Sequence, residues 1–471
     1  MFRSQYSILL VGLLSACGGG GNSSSNENTN TNSQNTFSVQ VVYKDACSNE
    51  TAATDAAVLI HNSDYSNKTT LYADENGRIT YQSEDSEVSL SVIARGQSDV
   101  NGIKPIAVTT YVAHPMLDKG KFIHYTYETG QCECNTASFD VYVPSRPGEK
   151  ASSSIYGYNS RGSLSEQYSY TSVSNYEFCK PITGDWPLMS FSSTFKYANE
   201  SYGLLTNDLF LPSYDATITG TKVDISTNAP NRQVLSFIDG KFHFANYSYF
   251  ENTPLFGFDT EQTEFYRIHS YDFIDIYDVP DIDNAYLFTL STINTQDISQ
   301  PFDIALPSID YIRLFDIILS ESGHYDLSDI QGLDYISTSI RGYHYAELVF
   351  DWYMMAPVQG QVPNIENIDI SEFISDGELE NSITTLRINA SATNYEGIND
   401  YQDHQRKVID RELEDFILPE WNKQQRYSFN ITTSDVEFKN MTSIMPTKTQ
   451  LKTLMIKENQ KSIMVDKNSA N

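Results

Sequence analysis

Apolar residues recur at every second position along much of this chain, and that period constrains the fold more than any other feature. Val88, Leu90, Val92 and Ala94 form one such series, Phe139, Val141 and Val143 another, and Val39 and Val41 a shorter one. A period of two places one apolar face against a core and leaves the other face polar, which is the signature of a half-buried β-strand. Shorter apolar runs such as Ala57-Val58-Leu59-Ile60 fit strands buried on both faces. Val234 to Phe244 reads as a hairpin around Asp239-Gly240, and Asn76-Gly77 gives a second hairpin signal, because glycine takes a positive φ without steric cost. Helical period is confined to the region near the C-terminus. There Ile409, Leu413, Phe416 and Ile417 share one face, Asn399 or Asp400 can cap upstream, and Pro419 stops the run. These patterns predict an all-β protein of tandem β-sandwich domains, with one helix at about 403–417.

Length and charge restrict the functional classes. The chain has 471 residues, enough for about three domains. A net charge of −30 excludes nucleic acid as a partner, since phosphate recognition needs Lys and Arg. It also argues against a polybasic membrane-surface protein. The charge is not spread evenly. No Lys occurs between Lys241 and Lys407, and residues 251–405 hold 28 Asp and Glu against four Arg. The same segment is rich in Ile, Leu, Phe and Tyr, so it is expected to fold.

The first seventeen residues are an address. Arg3 precedes a short apolar run from Ile8 to Leu14, too short to span a bilayer as a helix. Leu14-Ser15-Ala16-Cys17 then resembles the lipobox of bacterial lipoproteins. That resemblance implies a signal peptide at 1–16, a mature chain starting at Cys17, and a diacylglycerol on the Cys17 thiol. With Gly18 rather than Asp next in the chain, it also implies sorting to the outer membrane, on a face that stays open. Gly18 to Thr36 contains nothing apolar and cannot form a core. It is expected to be a flexible tether with a span of roughly 25 Å, so the membrane is a mooring for the folded part.

Four cysteines remain: Cys47, Cys132, Cys134 and Cys179. An even number in an exported chain points to disulfides. One intervening residue makes a Cys132–Cys134 bridge strained. Cys47 is therefore expected to pair with one of these two and Cys179 with the other. Cys-x-Cys with single distant partners does not match the usual zinc spacings.

Residues 37–136 form the first expected domain. The run from Leu71-Tyr72-Ala73 through Asp74-Glu75-Asn76-Gly77 to Ile79-Thr80-Tyr81 resembles Ig-like or transthyretin-like modules of the carboxypeptidase regulatory-like kind. Such modules space or adhere rather than catalyse. Asn135-Thr136-Ala137-Ser138-Phe139 echoes Asn35-Thr36-Phe37-Ser38-Val39, which suggests a second β-domain at 137–250. The acidic, Lys-free block gives a third at 251–436, and 437–471 a tail or terminal hairpin.

Three patterns could carry chemistry. Gly157-Tyr158-Asn159-Ser160-Arg161-Gly162 departs by one residue from a nucleophile elbow and lacks its strand-to-helix setting, so it reads as a loop. Asp278, Asp281 and Asp283 close an acidic series that begins at Asp272. Hard oxygens so closely spaced are candidate calcium ligands, though the EF-hand spacing and its glycine are absent. Tyr266, Tyr271, Tyr277 and Tyr286 lie near that series. Tyr offers rigid area plus a hydroxyl, so this region is the best candidate for a surface that contacts a glycan or another envelope protein. The reading is a lipid-anchored envelope protein with a binding or structural role. The alternative is a surface hydrolase that cuts polysaccharide with carboxylates of 251–405.

Overall fold

A computed structural model describes residues 34–45, 47–96, 105–126, 132–145, 148–156, 163–238, 241–248, 254–276, 283–306, 324–330, 332–344, 347–361, 368, 370, 372–373, 384–407 and 423–434. The protein is all-β. The expected helix appears as Tyr401–Lys407, with Asp400 Oδ1 accepting the Asp403 N–H at 2.8 Å as its cap. Residues 408–417 lie outside the described residues, as do the tail beyond 434 and the Gly157–Gly162 loop. Among the described residues no helix is long and apolar enough to cross a membrane.

The N-terminal strands build a sandwich. Asn35–Lys44 lies between Arg78–Ser83 and Asp118–Tyr125, with Glu50–Ala52 at one end. Ala57–His61, Asn67–Tyr72, Glu87–Arg95 and Ile106–Pro115 form the facing sheet. Phe37, Val39 and Val41 from the first sheet meet Val58, Ile60, Leu90 and Val92 from the second, which is the burial that the period of two demands. The Asn76-Gly77 step corrects one expectation. Gly77 has φ 74°, and Asp74 Oδ1 accepts the N–H groups of Asn76 and Arg78 at 2.8 Å each, so the turn is real. Its flanking strands, however, belong to different sheets and do not pair. The turn crosses from one layer to the other. A Cβ on Gly77 would sit 2.3 Å from the Val41 carbonyl oxygen, which explains the glycine.

Residues 132–219 form a second sandwich of two four-stranded sheets. Ala137, Phe139 and Val141 are buried in its core, in the same phase as Phe37, Val39 and Val41, so the sequence echo is an echo of packing. The Asp239-Gly240 signal does join a hairpin, Asn231–Ile238 with Lys241–Ser248.

The third unit is a sheet of twelve strands, and it incorporates the N-terminal module. Ile106–Pro115 pairs in parallel with Glu347–Ala356, which joins four early strands to eight later ones. On one face of the junction Ala57, Leu59, Ile93 and Val108 pack with Ile336, Trp352, Met354 and Ala390 in a single core.

Candidate binding face

The other face of the large sheet is where chemistry accumulates. Phe265–Ile276 pairs with Asn284–Thr295 in a register that sets Tyr271 opposite Leu290, Phe273 opposite Phe288 and Asp275 opposite Tyr286. Alternation puts all six on one side. Ring centroids lie 5.5 Å apart for Tyr271 and Phe273, 4.9 Å for Phe273 and Phe288, and 5.8 Å for Phe273 and Tyr286. Phe273 is 48% exposed, so the cluster reaches the surface.

The face continues as a polar ladder. Lys423–Ser434 sets Arg426, Ser428 and Asn430 beside Leu290, Phe288 and Tyr286, and Thr385–Tyr395 adds Ser391 and Asn389. Arg426 Nη2 donates to Ser391 Oγ at 3.1 Å, Ser391 Oγ to Asn389 Oδ1 at 2.6 Å, and Asn389 Nδ2 to Asn430 Oδ1 at 2.6 Å. Across the next two strands, Arg341 Nε donates to Asp351 Oδ1 at 3.2 Å. Burial raises the Asp351 carboxyl above its usual range, and Arg341 pulls it back. At the centre, Ser428 Oγ and Arg426 Nε are buried with no hydrogen-bond partner among the described residues. A buried polar atom left unpaired costs about 1–3 kcal/mol.

The same face is capped at one end by the helix. His404 packs 4.3 Å from Tyr335 and 5.7 Å from Tyr395 between ring centroids, and Tyr401 and Met355 complete the cover. Burial pushes His404 down to about 3 and Asp334, which accepts the Tyr395 N–H at 2.5 Å, up to about 7. His269, bonded to Thr292 Oγ1 at 2.8 Å, falls to about 3 through burial and then Arg267. Burial likewise lowers His114 to about 3 and His61 and His124 to about 4.

These shifts give a signed prediction. All five imidazoles sit below their free value of about 6.5, so only the unfolded chain takes up their protons as pH falls, and stability drops from about pH 6.5 toward 4. Asp334 acts in the opposite sense, keeping its proton when folded up to about 7, and Asp351 and Asp272, raised by burial, act with it. Five imidazoles outweigh these three carboxyls, and the urea midpoint is expected to fall between pH 7 and pH 5. A midpoint that holds or rises contradicts this balance.

The residues singled out from sequence divide as follows. Tyr271 and Tyr286 lie on one face, each in ring contact with Phe273. Tyr266 points into the opposite layer, buried with Val223, Val234 and Ile268. Cys17, Tyr277, Asp278 and Asp281 lie outside the described residues. Asp283 is exposed, and its N–H donates to the Thr432 carbonyl at 3.0 Å. Asp272 and Asp275 fall on opposite faces of one strand, the alternation that a wet-faced strand gives. Phe273, Phe288, Ser428 and Asn430 were not marked by sequence; only the register reveals them. Two bridges close, Cys47–Cys132 and Cys134–Cys179, one of the two expected pairings.

The fold and site together define an all-β sandwich protein with an aromatic and polar sheet face. No family model matches the sequence, and no curated protein matches it. Among solved structures, a Streptococcal ancillary pilin aligns over 59% of this chain and 100% of its own at 8% identity. The TM-score is 0.12, too low to carry an argument.

Proposed function

We propose that this chain is a lipid-anchored protein of the bacterial outer membrane with a non-catalytic binding role, and that the Tyr271–Phe288 face receives a polysaccharide. Leu14 to Cys17 supplies the anchor and Gly18 to Gln34 the tether, which is two residues shorter than expected because Asn35 and Thr36 already pair with Ser83 and Gln82. Two disulfides suit an oxidising compartment. The observation that carries the binding reading is the ring cluster around the exposed Phe273, continuing into the amides and hydroxyls of the neighbouring strands. Sugars offer apolar C–H faces for rings and hydroxyls for such a ladder.

The test is binding of the full chain to a panel of envelope polysaccharides. Phe273→Ala with Tyr286→Ala is expected to weaken binding about tenfold, equivalent to about 1.4 kcal/mol, with the unfolding midpoint little changed. Binding that survives the double substitution rejects this face, and release of sugar products would instead favour the hydrolase reading. In the same cells, Cys17→Ser should leave the membrane fraction. Retention there rejects the anchor.

A further inference from the structure

The four cysteines come from three separated segments of the chain and converge at one end of the second sandwich. Cys132 and Cys134 share one side of the Cys132–Tyr142 strand, because side chains two residues apart point the same way. The register with Tyr170–Pro181 sets Cys179 directly opposite Cys134. Cys47 arrives from the loop after Asn35–Lys44. The sulfurs of Cys47, Cys134 and Cys179 lie within 4.8 Å of one another, and Cys47 also shares a group of that size with Cys132 and Asp45. A tetrahedral zinc–thiolate centre with bonds of about 2.3 Å needs sulfurs about 3.8 Å apart; Cys47, Cys134 and Cys179 are already grouped within 4.8 Å, and Cys132, grouped with Cys47, has to swing toward the other two.

The scaffold does not depend on the sulfur–sulfur bonds alone. Asp45 Oδ1 accepts the N–H groups of Cys47 at 2.8 Å and Asn49 at 2.9 Å, and Oδ2 accepts Asn49 Nδ2 at 2.8 Å. Its oxygens are engaged in holding the Cys47 loop, which makes Asp45 a positioning residue and leaves four sulfurs as the ligand set. The other three cysteines are fixed by a strand pair whose register runs from Tyr170↔Tyr142 to Pro181↔Cys132.

We propose that the four cysteines have a second state, a tetrathiolate site for a soft divalent cation such as zinc(II), entered when both bridges are reduced. Each bridge takes two electrons and two protons from a dithiol, which becomes a disulfide, and yields two thiols. Binding one cation then expels four protons and leaves a centre of charge −2. The conventional zinc spacings miss it because the ligands come from three separated segments.

The experiment uses the full chain carrying Cys17→Ser, so that this thiol cannot compete, reduced with a dithiol and desalted without oxygen. Cobalt(II) is the probe. One equivalent is expected to give thiolate-to-cobalt charge transfer and tetrahedral d–d bands, both removed by one equivalent of zinc(II). Cys47→Ser, which breaks both groups, should abolish them. Because reduction can loosen the local fold, the melting temperature of the reduced chain is read with and without zinc(II), and zinc is expected to raise it. Absence of thiolate bands, bands unchanged in Cys47→Ser, or no zinc-dependent rise each overturns the proposal.

Discussion

Trp352→Ala lowers the free energy of unfolding by about 3–5 kcal/mol, the range for deleting a buried aromatic side chain. Trp352 is 2% exposed and lies at the parallel seam where Glu347–Ala356 meets Ile106–Pro115. Its neighbours come from both sides of that seam, so the cavity left behind would be lined by residues that two backbones hold in place. A polar contribution adds to this. Trp352 Nε1 donates to Thr110 Oγ1 at 2.9 Å, Thr110 Oγ1 contacts Ser91 Oγ at 2.7 Å, and Ser91 Oγ contacts His61 Nε2 at 2.7 Å. Trp352→Phe keeps most of the volume and breaks only the first link, and is expected to cost about 1–3 kcal/mol. Urea unfolding of the three proteins checks the order. A loss below 1 kcal/mol for Trp352→Ala would mean that the seam is not a stability determinant.

Removing the first bridge is the second large effect. Cys47→Ala with Cys132→Ala is expected to cost about 2–5 kcal/mol, because the bridge closes a loop of 85 residues and so constrains the unfolded chain strongly. Its geometry adds a consequence. Cys47 belongs to the first sandwich and Cys132 opens the second, so the bridge fastens the two where the chain passes between them. The double variant should therefore show earlier proteolytic cleavage around residues 126–132 as well as a lower urea midpoint. The corresponding pair Cys134→Ala and Cys179→Ala breaks a link within one sheet, across the 45-residue separation, and should leave that cleavage rate close to wild type. Equal cleavage in both double variants would show that the first bridge has no special role between the units.

Local pattern carried much of the fold. The period of two at Val88 to Ala94 and at Phe139 to Val143 identified strands and the face that each buries, because burial on one side is a property of neighbouring residues. The cysteine pairing was reduced to two options by covalent reach alone. The Asn76-Gly77 step was legible as a turn, yet whether its arms pair depends on the layers into which they are drawn. The seam between Ile106–Pro115 and Glu347–Ala356 left no trace in sequence, since parallel pairing across such a distance has no local signal. The candidate face was half legible. Tyr271 and Tyr286 stood out by composition, but Phe288, Ser428 and Asn430 join them only through strand register, which a one-residue slip would reverse.

The seam also sets an order of assembly. A chain emerging from its N-terminus completes the first sandwich long before the strand that covers its open side exists, since Trp352 and Thr110 are 242 residues apart. Until then Ile106–Pro115 is an edge with unpaired backbone groups, able to recruit the wrong strand. Long-range parallel pairing is slow to form. The first module is therefore a waiting half, and the interval before residue 347 arrives is when this protein is most exposed to mispairing with its own copies.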